Sequence, residues 1–161
     1  INVREALGPF GDRVVLIGDC GVTRLYKDGI GAAYRTAKAA AKTAIFSGVA
    51  AEDFKRHYWP VYRAIGADNR FGRLMFAVVH RIKAFDLLLR GVTRMCEREQ
   101  EAPGAARRMS VVLWDMFTGS APYREIFVRT LDPRFLGRFA WESALAVGGG
   151  GGRRVGATQH G

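Results

Sequence analysis

Apolar positions along the chain follow two periods. Residues 13–17 read Arg-Val-Val-Leu-Ile, a nearly unbroken apolar run after the turn signals Gly8-Pro9 and Gly11-Asp12. Such a run predicts a short strand covered on both faces. From Gly29 the spacing becomes helical. Ala32, Ala33, Ala37, Ala40, Ala41, Ala44 and Ile45 give a helix with a narrow face of small side chains, ended by Gly48. A face of that kind lets the helix lie close against something flat, a sheet or a cofactor.

The rest of the chain reads as almost wholly helical. Phe54, Tyr58, Val61, Tyr62 and Ile65 share a helical face that Pro60 should kink or interrupt. Asp68 or Asn69 is placed to cap the next helix. Its stripe is Phe71, Leu74, Met75, Val78, Val79, Ile82, Phe85 and Leu89. That stripe is read as core, with a lipid-facing or isoprenoid-facing surface as the alternative. Pro103-Gly104 breaks the chain. Met109, Val112, Leu113, Met116 and Phe117 make a further stripe that stops near Gly119. Pro122 and Asp132-Pro133 open the last two helical segments. The five glycines 148–152 begin a tail expected to be disordered.

Composition narrows the class. The 161 residues are 48% hydrophobic and 25% charged, ordinary globular usage and about one domain in length. The longest apolar stretch, 71–89, is interrupted by Arg73, His80, Arg81, Lys83 and Asp86, so it is not a membrane span. Cys20 and Cys96 are too few for a disulfide framework or a zinc site. With no secretory signal this suggests a reducing, cytoplasmic compartment. A net charge of +10 is spread along the chain. It reads first as a solvated basic surface and second as contact with an anionic membrane. No helix-turn-helix, zinc-finger or RNA-binding pattern accompanies it, so specific nucleic-acid recognition is not expected.

The chemistry concentrates between residues 11 and 31. A strand delivers Asp19 at its C-terminal end, where open α/β sheets bind ligands. A carboxylate there can accept hydrogen bonds from the hydroxyls of a sugar or sugar alcohol. Ten residues beyond it, Gly29-Ile30-Gly31 opens the alanine-rich helix. The first N–H groups of that helix have no intrahelical acceptor and suit an anion or an electron-rich oxygen. Strand, Gly18-Asp19, Gly-x-Gly and alanine-rich helix together resemble the second FAD motif of the para-hydroxybenzoate-hydroxylase-like flavoproteins. Those include aromatic-ring monooxygenases, flavin halogenases, squalene epoxidases and geranylgeranyl reductases, and the basic helical second half is most similar to the last. The resemblance covers about Gly11 to Ser47. It implies that Asp19 binds the ribityl hydroxyls of FAD and that Gly29, Ile30 and Gly31 present backbone N–H groups to the flavin pyrimidine edge. Gly18 would allow a tight exit from the strand. Tyr26 stands where many members have Pro, and Cys20-Gly21 where many have Ala-Ala or Ala-Gly. The loop 22–28 therefore does not select among reduction, hydroxylation and halogenation.

The expected fold is mostly α with a short strand pair: the C-terminal piece of an α/β FAD-binding fold (1–50), a helical region (51–147) and the tail (148–161). The family's Gly-x-Gly-x-x-Gly is absent, so on this reading it lies upstream of Ile1. The implied activity is an FAD-dependent oxidoreductase acting on an organic, hydrophobic substrate. The alternative is a non-enzymatic basic helical module on an anionic membrane or a protein partner. Other residues carry blander readings. His57 and His80 lack an evident partner for general-base work. Cys20 reads as packing, Asp28 and Lys27 as possible substrate contacts, and Trp59, Trp114 and Trp141 as core or interface residues.

Overall fold

The computed structural model describes residues 5–25, 28–102, 104 and 106–148. Two short strands, β1 (Phe10–Gly11) and β2 (Val14–Val15), form an antiparallel hairpin with Phe10 opposite Val15. A 3-10 turn (Gly18–Cys20) leads to α1 (Gly29–Phe46), α2 (Ala51–His57) and α3 (Trp59–Ala84). Then follow α4 (Asp86–Glu101), α5 (Arg108–Thr118), α6 (Tyr123–Thr130) and α7 (Pro133–Gly148). The chain is mostly helical with one short strand pair, as its periodicities predict. The glycine tail beyond Gly148 lies outside the described residues.

The doubly covered strand expected at 13–17 does not form. Arg13 takes φ 60° and turns the chain back on β1, so only Val14–Val15 pairs. Val14 and Ile17 stay exposed. Among the described residues no third strand flanks the hairpin, and a hairpin alone has nothing to bury both its faces. Two tyrosines hold this region instead. Tyr58 donates its hydroxyl to the carbonyl of Leu16, and Tyr62 donates to those of Ala6 and Gly21 at 3.1 and 2.8 Å.

Pro60 interrupts the helix as expected. The chain re-enters helix at Trp59, with the proline in the first turn where no N–H is needed. The break expected at Asp68 and Asn69 is absent, because both lie inside the continuous helix α3. Each has been taken by another segment. Asp68 accepts the N–H groups of Tyr123 and Arg124, both at 2.9 Å, and so caps α6. Asn69 binds the N–H of Leu25 and the carbonyl of Thr23. The 71–89 stripe is likewise divided, at Phe85, whose extended backbone ends α3 and precedes α4.

At 26 residues α3 is about 39 Å long, and two apolar clusters sit along it. Val22, Ala32, Ala40 and Phe54 pack with Tyr58, Tyr62 and Ile65 near its start. Met75 joins Leu25, Met95, Met109, Val112, Met116, Tyr123, Ile126 and Phe135 further on. α4 lies along α7, with buried Gly91 facing Ser143. Glu99, wholly buried, accepts the N–H groups of Met109 and Ser110 and caps α5. Trp59 is half-buried and stacks on Tyr62. Trp114 and Trp141 stand in solvent rather than in the core, because they fall on the outward faces of α5 and α7. Among the described residues, no helix is long and apolar enough to cross a membrane.

Candidate functional site

The site is assembled where the 3-10 turn meets the start of α1. Gly18 has φ +60°, a conformation costly for residues with a Cβ. Its N–H donates to Thr36 Oγ1 at 2.9 Å, and an added Cβ would stand 3.1 Å from that of Ala33. The small-residue face of α1, with Ala32, Thr36, Ala40 and Thr43 buried, thus lies against this turn and its neighbours rather than against a sheet. Docking the turn there carries exposed Asp19 to the first residue of the helix. A Cβ placed on Gly29 would lie 3.6 and 3.9 Å from the two Asp19 carboxylate oxygens and 3.7 Å from Thr23 Oγ1. The Asp19 carboxylate and the Thr23 hydroxyl thus lie directly against the helix start.

Asp28 is the N-cap of α1. With φ 67° it accepts the Gly31 N–H on Oδ1 at 3.0 Å. Its Oδ2 faces Arg24 and Arg35, each at 3.2 Å. The first intrahelical bond runs from the Ala32 N–H to the Asp28 carbonyl at 3.0 Å. The N–H groups of Gly29 and Ile30 therefore precede the intrahelical ladder at the positive end of the helix dipole. Of the three N–H groups singled out in the sequence, Gly31's is engaged by the cap. A Cβ on Gly31 would meet Asp28 Oδ1 at 2.0 Å.

Arg24 went unrecognised in the sequence. Its side chain is buried yet pairs with Asp28 and, at 3.6 Å, with Asp68. It also donates to the carbonyls of Gly119 and Ala121 and lies 4.6 Å over the Tyr123 ring. This one guanidinium fastens the N-cap of α1 to α3 and to the α5–α6 turn. A single arginine in a chain with 25 Lys and Arg gives no local signal of burial. Asp28 did carry a signal, since Asp before a helix-opening glycine is a cap pattern. Its partners give it a structural role as the cap of α1.

The remaining candidates lie apart. His57 and His80 are exposed on α2 and α3. Cys20 is exposed at the end of the 3-10 turn, and burial pushes the Cys96 thiol up. Lys27 lies outside the described residues. A cavity of about 640 Å3 opens between Arg24, Arg35, Asp68 and Arg124 and is lined by none of Gly18, Asp19, Gly29, Ile30 and Gly31. Burial first, and the neighbouring Tyr62 second, push the Tyr58 hydroxyl up to about 12. Tyr62 is raised too, chiefly by burial. Both phenols act as neutral clamps on the loop that carries the site.

Compared with known proteins, the chain matches no family model, no curated protein and no solved structure.

Proposed function

We propose that this chain carries the ribityl- and pyrimidine-facing part of an FAD site in an oxidoreductase that passes electrons or hydride between flavin and an organic, hydrophobic substrate. The observation that carries the reading is the placement of Asp19. An exposed carboxylate stands beside the glycine start of an 18-residue helix, with the Thr23 hydroxyl next to both. The residues fit the group. Asp19 would accept hydrogen bonds from ribityl hydroxyls, and the Gly29 and Ile30 N–H groups would donate to the carbonyl and nitrogen atoms of the pyrimidine edge. FAD, when bound, supplies the electron-transfer chemistry.

The protein's share is orientation and electrostatics. The positive end of α1 would favour negative charge on a ring edge bound beside it, as fixed backbone dipoles do in oxyanion holes. Gly18 and Thr36 fix the turn that aims Asp19. Asp28 already holds the Gly31 N–H, so Gly29 and Ile30 would be the donors to the ring edge. Arg24 and Arg35 offset the Asp28 charge and keep the helix start attractive to an electron-rich partner. No acid or base is assigned, since neither histidine lies at this site.

Purified from its own source in intact form, the protein should carry the visible absorbance of flavin and release FAD on denaturation, about one per chain. An intact, folded protein that is colourless and binds no added FAD would overturn the reading.

A further inference from the structure

Helices α3 to α7 enclose a second cavity, of about 430 Å3, lined by apolar side chains apart from Lys83 and Thr130. Five of its apolar lining residues are both part of the wall and open to solvent: Val78 49%, Leu89 42%, Phe117 51%, Leu131 54% and Leu136 47%. They mark its mouth. The apolar surface continues outward from there. Leu74, Val78 and Arg81 follow at steps of four and three residues on one face of α3, Phe85 stands just past its end, and the three apolar members are each close to half exposed. Leu87 extends the patch onto α4, and Trp114 stands exposed one helical turn before Phe117.

Cations outnumber acids around this mouth, where Asp86 and the Arg108-paired Asp132 are the nearby carboxylates. Arg73, Arg81, Lys83 and Arg90 are exposed, and between residues 73 and 90 the single acid is Asp86. Exposed leucine, valine and aromatic side chains interleaved with cations are the composition of a surface that lies in a lipid headgroup layer. A second copy of the chain fits poorly, because a two-fold contact would set this cationic frame against itself.

We propose that the mouth formed by the α3–α4 corner with α5 and the α6–α7 turn is a seat for an anionic lipid bilayer. Apolar side chains enter the headgroup region and the surrounding arginines and Lys83 meet lipid phosphate. The contact is peripheral, since no described helix is long and apolar enough to cross. It stands apart from the flavin reading, because vesicle binding is measured without reference to flavin.

The test is flotation of the intact protein with vesicles of phosphatidylcholine alone and of phosphatidylcholine with phosphatidylglycerol. Binding to the anionic vesicles should be at least about tenfold stronger, since each basic side chain at such a surface contributes about fivefold. Phe85→Asp with Leu87→Asp should weaken it by about tenfold or more at unchanged net fold, checked by circular dichroism. Arg81→Glu with Arg90→Glu, both at solvated positions, gives the same loss if the first variant fails to fold. No binding of the intact protein, as when another segment or an acidic protein covers the face, overturns the proposal. So does equal binding to both vesicles, or anionic binding that the folded Phe85→Asp, Leu87→Asp variant leaves unchanged.

Discussion

Gly31 separates two physical effects that oppose each other at one atom. Inside a helix, Gly→Ala gains about 0.8–1.0 kcal/mol. Here the new methyl would displace the Asp28 carboxylate from its place 3.0 Å from the Gly31 N–H, and losing such a cap costs about 0.5–2 kcal/mol. Gly31→Ala should therefore bring no stability gain in urea denaturation. A gain near the full helix-propensity value would show that Asp28 does not cap α1. Arg24 sets a larger effect. Arg24→Met leaves Asp28 and Asp68 without their buried partner and two carbonyls without a donor. Asp28 keeps Arg35 and Asp68 keeps two backbone N–H groups, so the loss should be about 1.5–3 kcal/mol, the worth of charged hydrogen bonds, readable as a lowered denaturation midpoint. A midpoint close to wild type would contradict the hub described for this residue.

At the scale of elements, two helices are capped by carboxylates from other helices, Asp68 on α6 and Glu99 on α5. Asp68→Ala should destabilise the protein by about 0.5–2 kcal/mol, the range of a lost cap, and speed amide exchange at Tyr123 and Arg124 more than in α1. Uniform exchange changes would refute that assignment. These caps also explain what the sequence could and could not reveal. Gly119, Pro122 and Asp132-Pro133 mark their helix boundaries by local backbone chemistry, and each boundary falls there. Asp68 looked like a cap and is one, but for a helix 55 residues away, a partnership no local pattern encodes. The strand at 13–17 failed for the same reason, since burial of both faces depends on neighbours the local run does not specify. The candidate site residues are close in sequence, so their proximity was legible. Gly18, Asp19 and Gly29 do converge, whereas the cap on Gly31 depends on the left-handed conformation of Asp28.

For the whole molecule, two buried phenols link stability to alkaline pH. Tyr58 is pushed up to about 12 and Tyr62 is also raised, against about 10 in an unfolded chain. Below about pH 10 both states keep these protons, and their contribution to stability is constant. Above it the unfolded state loses protons that the folded state retains, so stability falls until the folded pKa is passed, by at most about 1.4 kcal/mol per pH unit for each phenol. The denaturation midpoint of Tyr58→Phe should fall less steeply than that of wild type between about pH 10 and 12. Parallel profiles would show that Tyr58 is not protected from ionisation. The same clamped loop holds Asp19 at the start of α1, and on that placement the functional account rests. Its most direct test is the FAD dissociation constant of the intact protein, compared between wild type and Asp19→Ala by flavin fluorescence. A charge-assisted hydrogen bond is worth about 1.5–3 kcal/mol net, so the variant should bind FAD about 10- to 150-fold more weakly with its fold unchanged. Equal dissociation constants in two folded proteins would contradict the account and remove Asp19 from the site.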